Sequence, residues 1–550
     1  MANKFIPSLV PLEHRTLGHV MQRRAQEFED KIFVETVVGE STSYREMHQR
    51  SNRFAHGIAQ FGIEFQEPVL VMLPDVIDFL TVWIGFGKRG AVQVPINLAY
   101  RKNILLRLCN DSTAKKIIID RQYLDRLEAI EDELENLECV ILYSEDPSLR
   151  NDTKLPTKLS QRCRAVCFEA LFVDDITDFA PAPKFNDLVA IMYTSGTTGA
   201  SKGVATTHAH SFAYSDGAGE IFHLTPEDRF YTSGLPLFHI GAQSAVCYAS
   251  MIYGSTVVLR QGYRNEHFWP DIKQNNCTVV FMLGAIANFI WQQPETPYDI
   301  HTPLRKIGMF PVIPEHKAFC KRFGVEISTG YASTECPAPM IHHFDESFPN
   351  NQCVGYPTSN FEVKILNEDD VECDFGEMGE ICTRPKEPWS ILTGYWRQPE
   401  YTARAFQNLW YHTGDAGYKD EQGRFYFVDR VTDSMRRRGE NISSMEVQDG
   451  INLHPDVTEC AVFPVWDEYG EQEVMAVIIT QPGTDTDTDP EQLIRFLEES
   501  MPYFMIPRYI EFGVEIPKTP TGKMEKYKLR EIGVTPTTWD RVQAGVKLSR

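Results

Sequence analysis

The sequence predicts an α/β protein. A large N-terminal domain of mainly parallel α/β sheets carries an antiparallel β subdomain and is followed by a small α+β C-terminal domain. Three observations predict this. Through roughly the first 330 residues, short apolar runs alternate with helical patterns, the signature of parallel βα units. From about Gly355, short alternating strands separated by turn signals such as Glu421-Gln422-Gly423 take over. Beyond Arg430 the text becomes a compact mixture of strands and a helix, about 120 residues long. The domains are therefore set at 1–430 and 431–550, since 550 residues are too many for one hydrophobic core.

Taken in order, residues 17–62 hold two amphipathic helix patterns, the second over 44–61. Residues 69–73 read as a buried strand, 77–87 as a helix and 90–95 as the next strand, closed by Pro95. Further strands fall at 116–120, 140–143 and 188–193. Pro147, Pro156, Pro181 and Pro183 mark 145–187 as a surface excursion. Residues 236–259 carry no Asp, Glu, Lys or Arg, but His239, Gln243, Ser244 and Ser250 make them buried core rather than a membrane span. Strands at 256–259, 277–282 and 324–328, with a helix over 285–292, complete the parallel part. Antiparallel strands fall at 362–366, 379–383 and 425–428. The C-terminal domain has strands at 457–466 and 474–480, an exposed Thr-Asp run over 484–489 and a helix over 491–499.

Composition narrows the class. With 76 acidic against 54 basic residues the net charge is −22, which repels nucleic acid and anionic membrane. An anionic ligand must then find a locally positive or N–H-rich site. No signal peptide is expected from the N-terminal residues. The 12 cysteines include no C-x-x-C pair, which reads as reduced core thiols in a cytoplasmic protein.

The strand at 188–193 runs into Tyr193-Thr194-Ser195-Gly196-Thr197-Thr198-Gly199-Ala200-Ser201-Lys202-Gly203-Val204. Eight of these twelve residues are Gly, Ser or Thr, and Lys202 is the one charge. Little side-chain bulk lets backbone N–H groups approach a polyanion, hydroxyls add donors, and a lysine adds a point charge. That is the chemistry of a phosphate cradle. A Walker A loop needs Gly before its Lys and Ser or Thr after it, whereas Ser201 precedes Lys202 and Gly203 follows. A flexible linker is the plain alternative, but linkers seldom follow directly from a buried strand.

Three later segments follow this loop in order: Tyr331-Ala332-Ser333-Thr334-Glu335, Tyr411-His412-Thr413-Gly414-Asp415 and Pro517-Lys518-Thr519-Pro520-Thr521-Gly522-Lys523. With Pro236-Leu237-Phe238-His239, Gly376-Glu377-Met378-Gly379-Glu380-Ile381, Asp429-Arg430-Val431-Thr432-Asp433 and Arg438-Gly439-Glu440-Asn441-Ile442, they form an ordered set. The set resembles the adenylate-forming superfamily of acyl-CoA synthetases, peptide-synthetase adenylation domains and beetle luciferases, over essentially the whole chain. Local wording looks closest to carnitine- or crotonobetaine-CoA ligase-like members.

The resemblance implies a two-step ligase. A carboxylate attacks the α-phosphate of ATP to give acyl-adenylate and pyrophosphate, then the thiol of coenzyme A displaces AMP, with the small C-terminal domain mobile between steps. It implies that Thr194, Ser195, Gly196, Thr197, Thr198, Gly199 and Lys202 hold the β- and γ-phosphates. Glu335 matches the Mg²⁺ ligand, Thr334 a phosphate contact, and Tyr331 lies against adenine; hard oxygen donors suit Mg²⁺. Asp415 matches the acceptor of both ribose hydroxyls, and Arg430 a ribose and phosphate contact. Lys523 matches the lysine that crosses to the site for adenylation, orienting carboxylate and α-phosphate. Arg438 and Gly439 match the turn that serves the thiol step, and His239 a position next to the acyl and thiol channel. His239 could equally be a core histidine.

Some positions depart from the family. Ala332 stands where Gly is usual, and Thr432 where Lys or Asp often marks the hinge. Met309 and Phe310 replace the small pair that borders the acyl pocket in many relatives, which disfavours a long acyl chain; Phe310 could instead point into the core. The expected substrate is a small or polar carboxylate, and the expected protein a monomer or homodimer. Two other readings stay open: an adenylation enzyme that loads a carrier protein, and a nucleotide-binding protein without ligase activity.

Overall fold

The computed structural model describes residues 10–156, 158–194, 201–297, 299–343, 349–430, 434–438, 440–480, 489–513, 515–517, 524 and 526–548. The chain divides into two compact units. One comprises 1–98, 109–193 and 203–429, the other 99–108, 194–202 and 430–550.

The first unit holds two large sheets. The seven-stranded sheet runs in the order Arg164–Cys167, Cys139–Tyr143, Lys116–Asp120, Pro68–Met72, Val92–Pro95, Leu188–Thr194, Lys202–Thr207. It is parallel from Arg164–Cys167 through Leu188–Thr194. Its central strands read as continuous Val, Ile and Leu because both faces are covered: Val69, Leu70, Ile117, Ile118 and Ile119 are fully buried. Arg164–Cys167 corrects the expectation for 145–187. That interval contributes an edge strand, whose four residues alternate too briefly to stand out.

In the fourteen-stranded sheet, Ile32–Thr36, Thr256–Leu259, Arg229–Tyr231, Val279–Leu283, Lys306–Phe310 and Glu326–Tyr331 pair in parallel. The sheet then continues without a break into antiparallel strands Met340–His342, Cys353–Pro357, Phe425–Arg430, Trp410–Lys419, Gly379–Pro385 and Phe361–Leu366. The antiparallel region is thus hydrogen-bonded onto the parallel one through Glu326–Tyr331. That strand carries the tyrosine of the glutamate motif, so the junction of the two regions is also where the candidate site lies.

Helix ends follow local chemistry. Helix Tyr44–Phe61 begins with a capping box between Ser43 and Glu46 and stops at left-handed Gly62, as its apolar period predicts. The apolar stretch after His239 folds as a buried π-helical segment, Gly241–Tyr248, continuing into Ala249–Tyr253. Single π turns inside helices are frequent at functional sites. Among the described residues no helix is long and apolar enough to cross a membrane.

The second unit has a four-stranded sheet in the order Val457–Trp466, Gln472–Thr480, Tyr509–Phe512, Trp539–Asp540, and a hairpin of Ser434–Arg437 with Glu440–Ser443. Val462, Ile478, Leu493, Leu497 and Ile510 are fully buried in its core. All 12 cysteines of the chain are free.

Candidate active site

Tyr331 closes strand Glu326–Tyr331 with its ring buried, and its hydroxyl donates to Asp415 Oδ2 at 2.5 Å. The residues expected at adenine and ribose are thereby brought into contact. Asp415 is buried on strand Trp410–Lys419, and its N–H donates to Thr413 Oγ1 at 3.1 Å. The Phe427 ring lies 6.3 Å from that of Tyr331.

After Tyr331 the chain turns through exposed Ala332 into half-buried Ser333, Thr334 and Glu335. The Cys336 N–H donates to Ser333 and closes the turn. Glu335 Oε1 accepts from Tyr395 Oη at 3.2 Å, and the Glu335 carbonyl accepts from Leu392 N–H. The segment that presents Tyr395 is laid along strand Lys202–Thr207 by bonds from Trp396 N–H to Gly203 O and from Ala205 N–H to Gly394 O. Gly203 is needed there: a Cβ would stand 2.6 Å from Ile191 Cγ2 and 3.2 Å from Trp396 Cβ.

Tyr411 is wholly buried beside Tyr395, Glu335 and Tyr331, and burial together with these neighbours drives its phenol far above the usual range, so it stays protonated. His210 is buried with the Thr334 backbone beside it, and burial lowers its imidazole to about 3, which keeps it neutral. Sequence reasoning missed Tyr395, the role of Tyr411, and His210. Gly394-Tyr395-Trp396, a turn glycine followed by two large aromatics, was the available signal.

The expected pocket residues divide. Lys306–Phe310 sends neighbouring side chains to opposite faces. Phe310 is half-buried and stacks on Phe281 at 4.8 Å, with Phe222 at 6.2 Å. Met309 is wholly buried in a core cluster with Ile313 and Phe319, and its sulfur accepts from the Ile313 N–H. Half-buried His239 rests against Phe238, 4.6 Å between ring centroids. Asp75 Oδ1 accepts from Leu237 N–H at 2.7 Å. Burial pushes the Asp75 carboxyl up to about 7, opposed by that bond and by His239.

Glu380, Cys382 and His412 bring one carboxylate oxygen, one sulfur and one ring nitrogen within 4.8 Å of one another. Burial holds the Cys382 thiol well above its ordinary pKa, so it stays protonated and is a poor metal ligand. The trio is a hydrogen-bonded cluster.

In the second unit Arg438 sits at the hairpin turn with φ of 51°, its N–H donating to Glu471 Oε1. Its guanidinium is exposed, 3.9 Å from Glu473 Oε1. Ser201 donates to Glu446 Oε1 from both its N–H, at 2.8 Å, and its hydroxyl, at 2.6 Å. Half-buried Lys202 opens strand Lys202–Thr207, and its carbonyl accepts from Thr194 Oγ1 at 3.5 Å. Ser195, Gly196, Thr197, Thr198, Gly199, Thr432, Gly439 and Lys523 lie outside the described residues, and Arg430 is described by its backbone only.

The AMP-binding enzyme profile matches residues 21–396, and that of the AMP-binding enzyme C-terminal domain matches 446–523. The chain belongs to the AMP-binding enzyme family. Among relatives of this family member, the crotonobetaine/carnitine–CoA ligase of Citrobacter koseri is 29% identical over 496 residues, covering 89% of this chain and 93% of its own. Two solved structures share the fold. An o-succinylbenzoate CoA synthetase double mutant from Bacillus subtilis has a TM-score of 0.78 and 21% identity, covering 93% of this chain and 98% of its own. The amide bond synthetase McbA from Marinactinospora thermotolerans has a TM-score of 0.78 and 23% identity, covering 93% and 99%.

Proposed function

We propose that this AMP-binding enzyme is an ATP-dependent acyl-CoA ligase. It activates a small or polar carboxylic acid as the acyl-adenylate, releasing pyrophosphate, and passes the acyl group to coenzyme A, releasing AMP. The observation that carries the reading is the joining of Tyr331 to Asp415 and of Tyr395 to Glu335 around one turn of the family's ordered motifs. An acceptor-only carboxylate at Asp415 suits the ribose diol, and the ring of Tyr331 suits the adenine face.

Glu335 fits a magnesium ligand. It is a half-buried hard oxygen donor, already oriented by a phenol rather than neutralised by a lysine or arginine among the described ion pairs. When bound, Mg²⁺ would neutralise charge on the ATP phosphates. Thr334, Lys202 and the loop Thr194 to Gly199 are assigned to those phosphates, Arg430 to the ribose and phosphate, and Lys523 to the attacking carboxylate and the α-phosphate. Arg438 and Gly439 are assigned to the thiol step. His239, Phe310 and Ala332 are assigned to the acyl side, where stacked Phe310 and Phe281 favour a short chain. The relatives named crotonobetaine/carnitine–CoA ligase support a small polar acid. We assign domains 1–430 to nucleotide and acyl binding and 431–550 to the mobile catalytic part, in a cytoplasmic monomer or homodimer.

A pyrophosphate-release screen over carboxylates, with and without coenzyme A, tests the reading. The expected result is release with a small polar acid and thioester only when coenzyme A is present. Absence of release with every acid would overturn the ligase reading; release without thioester would favour transfer to a carrier protein.

A further inference from the structure

We propose that Glu380 is a positioning residue for Asp415 and sets the enzyme's preference for an intact ribose; this rests on the reading of Asp415 as the ribose acceptor. Strand Gly379–Pro385 pairs with Trp410–Lys419 at Cys382↔His412 and again at Glu380↔Ala416. Between those two rungs Ile381 alone stands opposite Thr413, Gly414 and Asp415. The ladder bulges at the point where the strand must present Asp415, and bulges of this kind re-aim side chains beside active sites.

A bulge leaves backbone groups without ladder partners, and each must be satisfied another way. Here side chains supply the bonds. Glu380 Oε1 accepts from Gly414 N–H at 2.7 Å. Thr413 Oγ1 donates to Ile381 O at 2.7 Å and accepts from Asp415 N–H at 3.1 Å. The second oxygen of Glu380 bonds His412 Nδ1 at 2.9 Å, so one carboxylate spans the bulge from its first rung to its apex. On its far side His412 has Asp370 at 3.7 Å. Gly414 itself takes φ of 75°, a left-handed setting that a charge-assisted bond to its N–H holds in place. The carboxylate that shapes the turn is therefore a different group from the one that receives the ligand, and the two are separated by the bulge.

This arrangement makes a specific claim about energy. A residue needed only for folding would weaken every nucleotide alike. A residue acting through Asp415 alters the difference between a ligand with the 3′-hydroxyl and one without it. The probes are ATP and 3′-deoxy-ATP, with equilibrium dissociation constants measured for the full-length wild type and for Glu380→Ala, Glu380→Gln and Asp415→Asn. Wild type is expected to prefer ATP by roughly tenfold, the worth of a charge-assisted hydrogen bond. Glu380→Ala is expected to bring that ratio close to one. Glu380→Gln, which keeps an acceptor for Gly414 N–H but loses the charge, is expected to fall between.

If Asp415→Asn keeps the wild-type ratio, the ribose reading fails and this inference with it. If Asp415→Asn loses the ratio while Glu380→Ala and Glu380→Gln keep it, the inference alone is overturned, even should both bind ATP more weakly. If Glu380→Ala does not fold, Glu380→Gln decides: a reduced ratio supports the proposal and an unchanged one removes it.

Discussion

The Tyr395 hydroxyl donates to Glu335 Oε1 at 3.2 Å, across a separation of 60 residues. It lies on a segment fixed by main-chain bonds to Gly203 and Ala205, on the strand opened by Lys202. One short stretch thus connects the end of the glycine-rich loop to the proposed magnesium ligand. Tyr411, buried alongside and protonated, bonds Tyr395 in turn. A hydroxyl relay of this kind helps to keep a carboxylate in one rotamer.

Tyr395→Phe removes the donor and keeps the ring. The expected result is a several-fold to tenfold rise in the Mg²⁺ concentration for half-maximal pyrophosphate release. Formation of thioester from supplied acyl-adenylate should change little. Titration of Mg²⁺ at saturating ATP measures it, and an unchanged midpoint would separate Tyr395 from metal binding.

Phe310 and Met309 should respond differently. Phe310→Ala removes a ring stacked on Phe281 and is expected to move acid preference toward longer chains. Met309→Ala empties a fully buried site and is expected to cost about 2–5 kcal/mol of stability with acid preference unchanged. Competition between acids of increasing length, beside denaturant unfolding, distinguishes them. A chain-length shift in Met309→Ala would place that side chain at the pocket after all.

Much of this was legible in the sequence, and the gaps have physical reasons. The helix over 44–61 and the strands at 116–120 and 256–259 emerge with those bounds because period and burial agree along each. Tyr331, Glu335 and Asp415 stand out as candidates through the local strings that carry them. Tyr395 was not, since its position depends on pairing with a strand 188 residues earlier, as at Thr393 and Ala205, which no local pattern records. Met309 and Phe310 looked alike because the strand Lys306–Phe310 was not recognised, and only a strand's alternation tells them apart. Glu380 falls within the string Gly376 to Ile381, but the bulge it spans is revealed by strand register alone.

Asp75 gives a pH prediction. Its folded pKa, raised to about 7 by burial, lies above the unfolded value, so the folded state binds more protons between the two. Its contribution to stability is present at low pH and is lost as pH rises through about 7. Asp75→Asn fixes the neutral form. Relative to wild type, the variant should therefore gain stability as pH goes from 5 to 8. Denaturant unfolding of both proteins at several pH values checks this, and parallel curves would mean that Asp75 is already ionised throughout.

Lys523 belongs to one half-reaction only, on the proposed assignment. A cation placed between carboxylate and α-phosphate stabilises charge that develops while the adenylate forms and has no such task once AMP is the leaving group. Lys523→Ala should lower pyrophosphate release by roughly a hundredfold or more, the scale seen when one preorganised donor is removed. Thioester formation from supplied acyl-adenylate should fall no more than about threefold, because that step is assigned to the turn at Arg438 and Gly439. Arg438→Ala should show the reverse pattern, its guanidinium being exposed at the hairpin turn. Measuring both half-reactions in both variants makes the assignments check each other. Equal losses in the two steps for Lys523→Ala would mean that its lysine serves the fold or the nucleotide generally, and the division of labour between the two residues would have to be abandoned.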